Sequence, residues 1–315
     1  MQIALLTCLA ALLCVAASGP HAAAQSETNS KIKIILDTDI GDDIDDAYAL
    51  ACLATVPECK LLGVTTAYGH TEQRAQIAGK LLKVMGRTDV PVYAGRASNH
   101  DIGRQYQWAK SYTGANIKKS SAVEFLKKEI EKQPGEVTIL AIGALTNIAD
   151  LVTKYPAIVP RIKRIVIMGG SVYSGYGTSK EPQIEWNIRC DPPAARSVFG
   201  CGAVITVAGL EATAMMQFEA ERQKRLFGIG TATTDALAAL TNLWGGGTPT
   251  QFDVMAVANA LGHNFCDIDR IHINVTDDGM TVKGEGTVNA ELLINPKKEP
   301  FLDWYIQALT PVAAH

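Results

Sequence analysis

Short apolar runs alternate with helical segments along most of this chain, and no other sequence feature constrains its fold as strongly. The first run, residues 32–36, is β-branched and ends abruptly in acids, as a buried parallel strand does. Asp45 and Asp46 then open a helix that continues over 47–55 and stops before Pro57. The same pattern predicts further elements, with strands at 61–66, 90–93, 137–142, 162–168 and 204–207 and helices at 72–85, 121–132, 147–154 and 194–199.

This alternation predicts an α/β fold: a Rossmann-like, mostly parallel sheet with helices on both faces. Asp191 before Pro192 is an N-cap signal for one of these helices. Beyond Leu210 we expect a helical C-terminal region, with a glycine loop at 245–247 and a late edge strand at 271–275. In such sheets ligands bind beyond the carboxyl ends of the strands, so the loops at those ends are where a functional site is expected.

The N-terminus has the composition of a secretory signal peptide. Residues 3–17 are largely apolar, and Ala22-Ala23-Ala24 supplies a small-residue cleavage site. We therefore predict a signal peptide over residues 1–24 and a single catalytic domain over residues 25–315. That domain is expected to be secreted or periplasmic and free of the membrane after cleavage. An uncleaved membrane anchor is the alternative.

The overall charge is mild, with 29 Lys and Arg residues against 32 Asp and Glu residues and a formal net charge of −3. The chain has no excess of basic residues from which a nucleic-acid-binding surface could form, so we predict no nucleic-acid partner. Six of the acids lie within residues 37–46, which leaves a net charge of +3 on the rest of the chain. The acidity is therefore concentrated in one loop.

That acidic loop, Asp37 to Asp46, directly follows the first predicted strand. Six carboxylates repel one another strongly at close range unless a cation neutralises some of them. Ligands that offer only oxygen favour a hard cation, and this crowding of carboxylates suits Ca²⁺ better than Mg²⁺. An EF-hand is excluded, because a loop counted from Asp37 places Tyr48 where that motif needs Glu. A solvated acidic turn and a metal-dependent phosphohydrolase with an aspartyl nucleophile remain as alternatives.

A set of short motifs in this sequence resembles the inosine–uridine-preferring nucleoside hydrolase family. The resemblance begins in the acidic loop and continues along nearly the whole chain after the signal peptide. The motifs are Ile35-Leu36-Asp37-Thr38-Asp39-Ile40-Gly41 with Asp45-Asp46-Ala47, Gly63-Val64-Thr65-Thr66, Val90-Pro91-Val92-Tyr93-Ala94-Gly95, Gly143-Ala144-Leu145-Thr146-Asn147, Met168-Gly169-Gly170, Glu185-Trp186-Asn187 with Asp191-Pro192, and Phe252-Asp253 ahead of Ala256-Val257-Ala258.

The resemblance implies one Ca²⁺ that holds both the attacking water and the ribose diol. It implies that Asp39 binds the metal and takes the proton from water, so that Asp39 is the catalytic residue. Asp46, the backbone carbonyl of Thr146 and Asp253 would complete the protein ligands of the metal. The residues implied in substrate binding are Asp45, Glu185, Asn187 and His70.

General chemistry supports the same roles. Cleavage of an N-glycosidic bond passes through an oxocarbenium-like sugar, which a nest of carboxylates stabilises. Alternation predicts an extended segment at residues 185–187, with Glu185 and Asn187 on one side of it and Trp186 facing away. Such a pair can accept a hydrogen bond from one ribose hydroxyl and donate to the next. Asp253 taken alone is more typical of a helix cap.

Three departures from the family pattern bear on the mechanism. Two extra residues lie between Gly41 and Asp45, so that Asp42 or Asp43 can supplement or replace an assigned ligand. Phe252 stands where purine-cleaving members carry a His that protonates the leaving base. His70 stands where many members have Asn or Asp. The candidates for the missing acid are His70, His100 and His263; alternatively, solvent protonates the leaving base or sugar distortion activates the bond. The candidates for stacking on the base are Tyr106, Trp108, Tyr173 and Tyr176.

The resulting hypothesis is a Ca²⁺-dependent ribonucleoside hydrolase that serves nucleoside salvage and releases free base and ribose. Its partner would be a small-molecule ribonucleoside of undetermined base, and the resemblance implies a homo-oligomer. A non-catalytic nucleoside- or sugar-binding protein on the same scaffold is the alternative from another class. Five cysteines remain after the signal peptide, and either Cys52–Cys59 and Cys190–Cys201 disulfides or free thiols are compatible with the sequence.

Overall fold

A computed structural model describes residues 30–311 of the chain. From Lys31 onward these residues form one compact unit. The predicted signal peptide lies outside the described residues. Within them, no helix combines the length and the apolar character needed to cross a membrane. All five cysteines of the described part are free thiols, so neither of the two possible disulfides forms in this structure.

The described residues form a ten-stranded sheet with the order β4-β3-β2-β1-β5-β6-β7-β10-β8-β9. The strands β1 to β7 and β10 pair in parallel, whereas β8 is antiparallel to both of its neighbours. The strands are β1 Ile32–Thr38, β2 Cys59–Thr66, β3 Val92–Ala94, β4 Ile117–Lys118, β5 Val137–Ala141, β6 Arg164–Met168, β7 Ile205–Ala208, β8 Asp267–Val275, β9 Thr281–Gly284 and β10 Ala290–Ile294.

Twelve α-helices and one 3₁₀ helix, at Pro156–Arg161, accompany this sheet in the described range. The α-helices are α1 Asp45–Thr55, α2 Thr71–Val84, α3 Tyr106–Ala109, α4 Ala122–Lys132, α5 Thr146–Lys154, α6 Trp186–Cys190, α7 Pro192–Phe199, α8 Leu210–Thr213, α9 Ala220–Phe227, α10 Ala232–Trp244, α11 Phe252–Ala260 and α12 Lys298–Leu309. Helices α1, α2, α10, α11 and α12 belong to one apolar core, and α4, α5 and α7 belong to a second. The prediction of a mostly parallel sheet with helices on both faces is confirmed.

Local signals placed the boundaries of the elements predicted up to residue 207 to within two residues. Helix α1 begins at Asp45 as predicted, and Asp191 caps α7 by accepting a hydrogen bond of 3.0 Å from the backbone N–H of Ala194. Strand β1 continues two residues beyond its predicted end, because Asp37 and Thr38 pair with Thr65 and Thr66 of β2. The first carboxylate of the acidic loop therefore lies inside the sheet.

One prediction about the sheet was wrong. The strand predicted at 271–275 forms part of β8, but it is not at the edge, because β8 lies between β10 and β9. The β8–β9 pairing, from His272 with Gly284 to Val275 with Thr281, leaves β9 at the edge. Strands β9 and β10 were not predicted from the sequence.

Candidate active site

The strand order reverses direction next to β1, and this is where the acidic loop leaves the sheet. Strands β2, β3 and β4 extend from one side of β1, whereas β5, β6 and β7 extend from the other. The connection after β1 leads to α1, and the connection after the neighbouring strand β5 leads to α5. The two connections therefore run away from each other at the edge of the sheet where both strands end. Such a point opens a crevice at the carboxyl ends of the strands, which is where α/β proteins bind ligands.

A cavity of about 200 Å³ occupies this crevice. Its wall combines carboxylates from the acidic loop with residues that follow β5 and β6 and with the start of α11. The lining residues are Asp39, Asp42, Asp43, Asp45, Asp46, Ile142, Met168, Tyr176, Glu185, Trp186, Asn187, Phe252 and Asp253. Six of the eight site residues predicted from the sequence therefore meet in one cavity, namely Asp39, Asp45, Asp46, Glu185, Asn187 and Asp253.

Three buried carboxylates converge in the cavity wall. Asp45 and Asp46 come from the first turn of α1 and Asp253 from the first turn of α11, and each offers one oxygen within 4.8 Å of the others. Burial, and then repulsion by neighbouring carboxylates, raises the pKa of all three acids well above the ordinary value. A set of buried, mutually repelling oxygen ligands fits a divalent cation of the hard class. Asp253 is not the cap residue of α11, because Gln251 occupies that position.

Asp39 lies next to this cluster and is only 6% exposed. Its pKa is raised to about 7, chiefly by burial; the positive charge of Arg74 opposes this rise, and the nearby carboxylates of Asp42 and Glu185 add to it. The negative charge of Asp39 also raises the pKa of Asp46, so the two carboxylates are close enough to repel each other. The arrangement brings the predicted proton acceptor beside the predicted metal ligands.

Asp37, the first acid of the loop, has a different environment. Its Oδ1 accepts a hydrogen bond of 2.7 Å from Nδ2 of Asn147 and another from Oγ1 of Thr65, and burial raises its pKa to about 7. Asp37 does not line the cavity. It links β1 to the neighbouring strand β2 and to the start of α5, so its role is to hold these elements together.

Glu185 is anchored by backbone donors. It caps the short helix α6, and its Oε1 accepts a hydrogen bond of 2.9 Å from the N–H of Asn187. Its Oε2 accepts from the N–H groups of Gly170 at 2.9 Å and Ile188 at 3.1 Å. Gly170 has a φ of 87°, a left-handed conformation that glycine adopts without steric cost. Burial raises the pKa of Glu185, and these N–H groups oppose the rise.

The expectation of an extended segment at Trp186 was wrong, because α6 begins there. Glu185 and Asn187 still reach the cavity, but Trp186 lines it as well and does not face away. The Nδ2 atom of Asn187 donates to the carbonyl oxygens of Ile142 at 2.9 Å and Met168 at 3.1 Å. Its donor is therefore engaged by the backbone, and Oδ1 remains as the acceptor that a ligand can use. The predicted donor role of Asn187 does not fit this arrangement.

Two predicted site residues lie outside the cavity wall. Thr146 is buried at the start of α5, and no described residue pairs with its hydroxyl, which is consistent with a role for its backbone and not its side chain. His70 lines a separate groove of about 1060 Å³, and its Nε2 lies 3.8 Å from Oδ1 of Asp101. Its predicted contact with the sugar remains a prediction.

The remaining candidates for the acid and for base stacking are scattered. His263 packs against Trp304 and lies 3.5 Å from Glu58, and His100 lies 3.4 Å from Asp42 beside the cavity. Tyr106 lines the His70 groove, Trp108 lies under the ammonium group of Lys80, and Tyr173 is bound to Asp269.

Of the four aromatic candidates, Tyr176 is the one in the cavity wall. Its ring contacts Phe252 edge to face, with 6.1 Å between ring centroids, and its hydroxyl accepts a hydrogen bond of 2.9 Å from the N–H of Trp186. Trp186 was not recognised as a lining residue, although its place between Glu185 and Asn187 was the signal for it.

These features define an α/β protein with a carboxylate-rich ligand site at its topological switch point. The model of the inosine-uridine preferring nucleoside hydrolase family matches residues 34–303, so the chain belongs to this family.

Curated relatives agree with the family. The chain is 38% identical to "Uridine nucleosidase 1" of Arabidopsis thaliana over 199 residues, which cover 59% of this chain and 58% of that protein. It is 30% identical to "Pyrimidine-specific ribonucleoside hydrolase RihA" of Escherichia coli O1:K1 / APEC over 226 residues, which cover 68% of this chain and 71% of that one. The chain thus spans less than two thirds of the length of the first of these proteins.

Solved structures share the fold over nearly the whole described chain. "Plant nucleoside hydrolase - PpNRh1 enzyme" superposes with a TM-score of 0.79 at 24% identity and covers 89% of this chain and 99% of that one. "Purine-Preferring Ribonucleoside Hydrolase from Gardnerella vaginalis" gives a TM-score of 0.78 at 24% identity over 88% and 98% of the two chains.

Proposed function

We propose that this protein hydrolyses the N-glycosidic bond of ribonucleosides in a Ca²⁺-dependent reaction. The observation that carries the proposal is the convergence of Asp45, Asp46 and Asp253 beside Asp39, in the same cavity as Glu185 and Asn187. In the reaction, water adds across the bond between the sugar C1′ and the base nitrogen. The sugar gains the hydroxyl group and the base gains the proton.

The donor set supports a divalent cation, and Ca²⁺ in particular. The ligand atoms offered are carboxylate oxygens. Ca²⁺ binds a larger number of oxygen ligands than Mg²⁺ does, and it tolerates a less regular geometry. Asp39, Asp46 and Asp253, with the backbone carbonyl of Thr146, are the residues we assign to hold it. When bound, a divalent cation lowers the pKa of a coordinated water, so that a nucleophile forms near neutral pH.

Asp39 is the general base in this proposal. Its carboxylate lies at the cavity wall, within the field of Asp46 and Glu185, and no salt bridge ties it down among the described residues. A carboxylate placed in this way accepts the proton that water releases during attack on C1′.

The sugar would be held by acceptors. The Glu185 carboxylate, Oδ1 of Asn187 and the Asp45 carboxylate all present oxygen, and ribose hydroxyls are donors that match them. Glu185 is held by three backbone N–H groups, so its position costs little reorganisation when a substrate binds. As the bond to the base breaks, positive charge grows on the sugar, and these carboxylates stabilise it.

The base would lie against the aromatic part of the wall, formed by Tyr176, Trp186 and Phe252. Because Phe252 replaces the acid of purine-cleaving members, we propose uridine as the first substrate to test. The names of the relatives from Arabidopsis thaliana and Escherichia coli point to the same nucleoside class. We further propose that residues 1–24 are removed, that the enzyme acts outside the cytoplasm in nucleoside salvage, and that it forms a homo-oligomer.

A nucleoside panel tests the activity. The purified protein is incubated with uridine, cytidine, inosine and adenosine, once with Ca²⁺ and once after chelation, and the released reducing sugar is measured. We expect ribose from at least one nucleoside with Ca²⁺ and none after chelation. Release of no sugar across the panel would overturn the proposal. Calorimetry on the same protein would then identify the binding-protein alternative by nucleoside binding without turnover.

A further inference from the structure

The guanidinium of Arg74 is fully buried beside the cavity, in a ring of acceptors from the loops that build it. Its Nε donates a hydrogen bond of 2.7 Å to the carbonyl oxygen of Tyr68, and its Nη2 donates one of 2.6 Å to Oδ2 of Asp42. Its Nη1 donates to the carbonyl oxygens of Asp39 and Ile40. One side chain of α2 thus holds the start of the acidic loop and the loop that follows β2.

The two residues that lengthen the acidic loop are held in the same way. The second oxygen of Asp42, Oδ1, accepts a hydrogen bond of 2.9 Å from the N–H of Gly103. The buried amide Nε2 of Gln105 donates to the carbonyl oxygen of Asp43 at 2.7 Å. Both carboxylate oxygens of Asp42 therefore already have protein donors, in contrast to an acid that is free to bind a cation.

We propose that Arg74 is a positioning residue of this site. It holds the main chain at Asp39, and by pairing with Asp42 it keeps that carboxylate out of the ligand set of the cation. The longer loop is then a support for Asp39 and Asp46 and not a source of an extra ligand. The effect on the cation rests on the function proposed above, whereas the effect on the loop is a property of the protein alone.

Geometry, and not charge alone, is what Arg74 supplies. A guanidinium presents five N–H donors in a rigid plane, and Arg74 directs them to four acceptors in different directions. An ammonium group at the end of a flexible chain carries the same charge but cannot span these acceptors. Loss of the guanidinium also removes the Arg74 donor from Oδ2 of Asp42, and this oxygen is then able to turn toward the cation.

Two measurements on one set of variants test the proposal. The set comprises Arg74→Met, Arg74→Lys, Asp42→Asn and the Arg74→Met/Asp42→Asn double variant. Arg87→Met is the matched control, because Arg87 also bonds a carbonyl, that of Ala54 at 2.7 Å, and a carboxylate, that of Asp89 at 3.0 Å, and it does not line the cavity.

The first measurement is amide hydrogen exchange of peptides that contain residues 39–43, on the metal-free protein. We expect exchange at least about tenfold faster in both Arg74 variants, because charge-assisted hydrogen bonds to this loop are lost. The second is the dissociation constant of Ca²⁺ by calorimetry. We expect it to rise about 10–100-fold in both Arg74 variants, as for other residues that orient metal ligands. The double variant should be no weaker than Arg74→Met, and Arg87→Met should match the wild type in both measurements.

The outcomes separate the two proposals. Unchanged exchange in both Arg74 variants overturns the positioning role, whatever the protein binds. Faster exchange with unchanged Ca²⁺ affinity overturns the link between the loop and the cation. Wild-type affinity in Arg74→Lys together with weak binding in Arg74→Met would show that charge alone matters, which also overturns it. If the wild type neither binds Ca²⁺ nor cleaves a nucleoside, the proposed function fails, and the exchange experiment still decides the positioning role. If an Arg74 variant does not fold, the same two measurements are made on Asp42→Asn. This change removes the negative partner of Arg74 but keeps an acceptor for the N–H of Gly103.

Discussion

The backbone N–H of Asp253 donates a hydrogen bond of 3.0 Å to Oδ2 of Asp45. The N–H groups in the first turn of a helix have no partner within the helix, and here a carboxylate from α1 satisfies one of them for α11. No side chain at the cap position of α11 does so. The same contact brings the acid of α11 against the acids of α1, so it contributes both to the carboxylate cluster and to the packing of the two helices.

This contact gives Asp45 a structural role that can be separated from its charge. Asp45→Asn keeps an oxygen acceptor for the Asp253 N–H, whereas Asp45→Ala removes it. We expect the free energy of unfolding of the Ala variant to lie about 1 kcal/mol below that of the Asn variant, as for other lost helix caps. Urea denaturation of the metal-free proteins measures the difference. The same pair of changes at exposed Asp277 should show none, and equal stability of the two Asp45 variants would contradict the capping role.

Removal of the proposed base should abolish turnover without unfolding the protein. Asp39→Asn conserves shape but cannot accept a proton, so we expect kcat to fall by about 10³-fold or more, since a general base contributes about 10²–10⁴-fold and the metal side is also disturbed. Initial rates of ribose release give kcat, and circular dichroism checks the fold. Asp277→Asn, at an exposed carboxylate, is the control. Near-normal turnover in Asp39→Asn would exclude the assigned role.

Calcium should stabilise the protein more at about pH 8 than at about pH 5.5, because its ligands must lose their protons to bind it. Burial raises the pKa of the proposed ligand Asp39 from 3.8 to about 7, and it raises the pKa of Asp37, which is not a ligand, to about 7 as well. An acid whose pKa is higher in the folded than in the unfolded state stabilises the folded protein while the acid is protonated. This stabilisation is complete below about pH 4 and is lost as the pH rises through about 7.

The metal-free protein should accordingly melt at a lower temperature at about pH 8 than at about pH 5.5, and Ca²⁺ should remove much of that difference. Differential scanning calorimetry with and without Ca²⁺ at both pH values measures the effect. A calcium-induced shift in Tm that is equal at the two pH values would contradict the assignment of buried, protonated carboxylates as ligands.

Phe252 should limit the cleavage of purine nucleosides. A purine leaves poorly as an anion, and a general acid near the leaving base contributes about 10²–10⁴-fold. We therefore expect Phe252→His to raise kcat/KM for inosine by at least about tenfold, with a smaller change for uridine. Phe252→Leu separates the new acid from the loss of the aromatic contact with Tyr176. An equal response of the His and Leu variants would mean that position 252 does not face the leaving base.

Gly95 is required by close packing behind the site. A Cβ atom at this position would lie 2.1 Å from Oδ1 of Asn147 and 2.6 Å from the carbonyl oxygen of Thr66. We expect Gly95→Ala to lower the free energy of unfolding by about 1–3 kcal/mol, the usual cost of overpacking. Because Asn147 also holds Asp37, activity should fall as well. Gly200→Ala is the control: its φ is −90°, its nearest contact would be 3.2 Å, and it should change stability by less than about 1 kcal/mol.

Sequence periodicity was sufficient for the fold class and for most of the α/β core. Strand β1, helix α1 and the N-cap at Asp191 all follow from local rules about burial, charge and capping. Strands β9 and β10 were not predicted because they are short, four and five residues long, and because their pairing with β8 is not visible in local sequence. The segment at Trp186 was predicted wrongly because the Glu185 side chain accepts hydrogen bonds from the N–H groups of Asn187 and Ile188. These contacts start a short helix that sequence periodicity does not reveal.

The sequence by itself determined the charge of this site, because six acids follow a buried strand, and their mutual repulsion predicts a cation. Only the tertiary structure decided how those acids are used. It brings Asp253 against Asp45, engages the amide donor of Asn187 with the backbone, and pairs Asp42 with Arg74. These partners are distant in sequence, and the order of strands in the sheet and the packing of helices upon it bring them together, which local patterns do not encode.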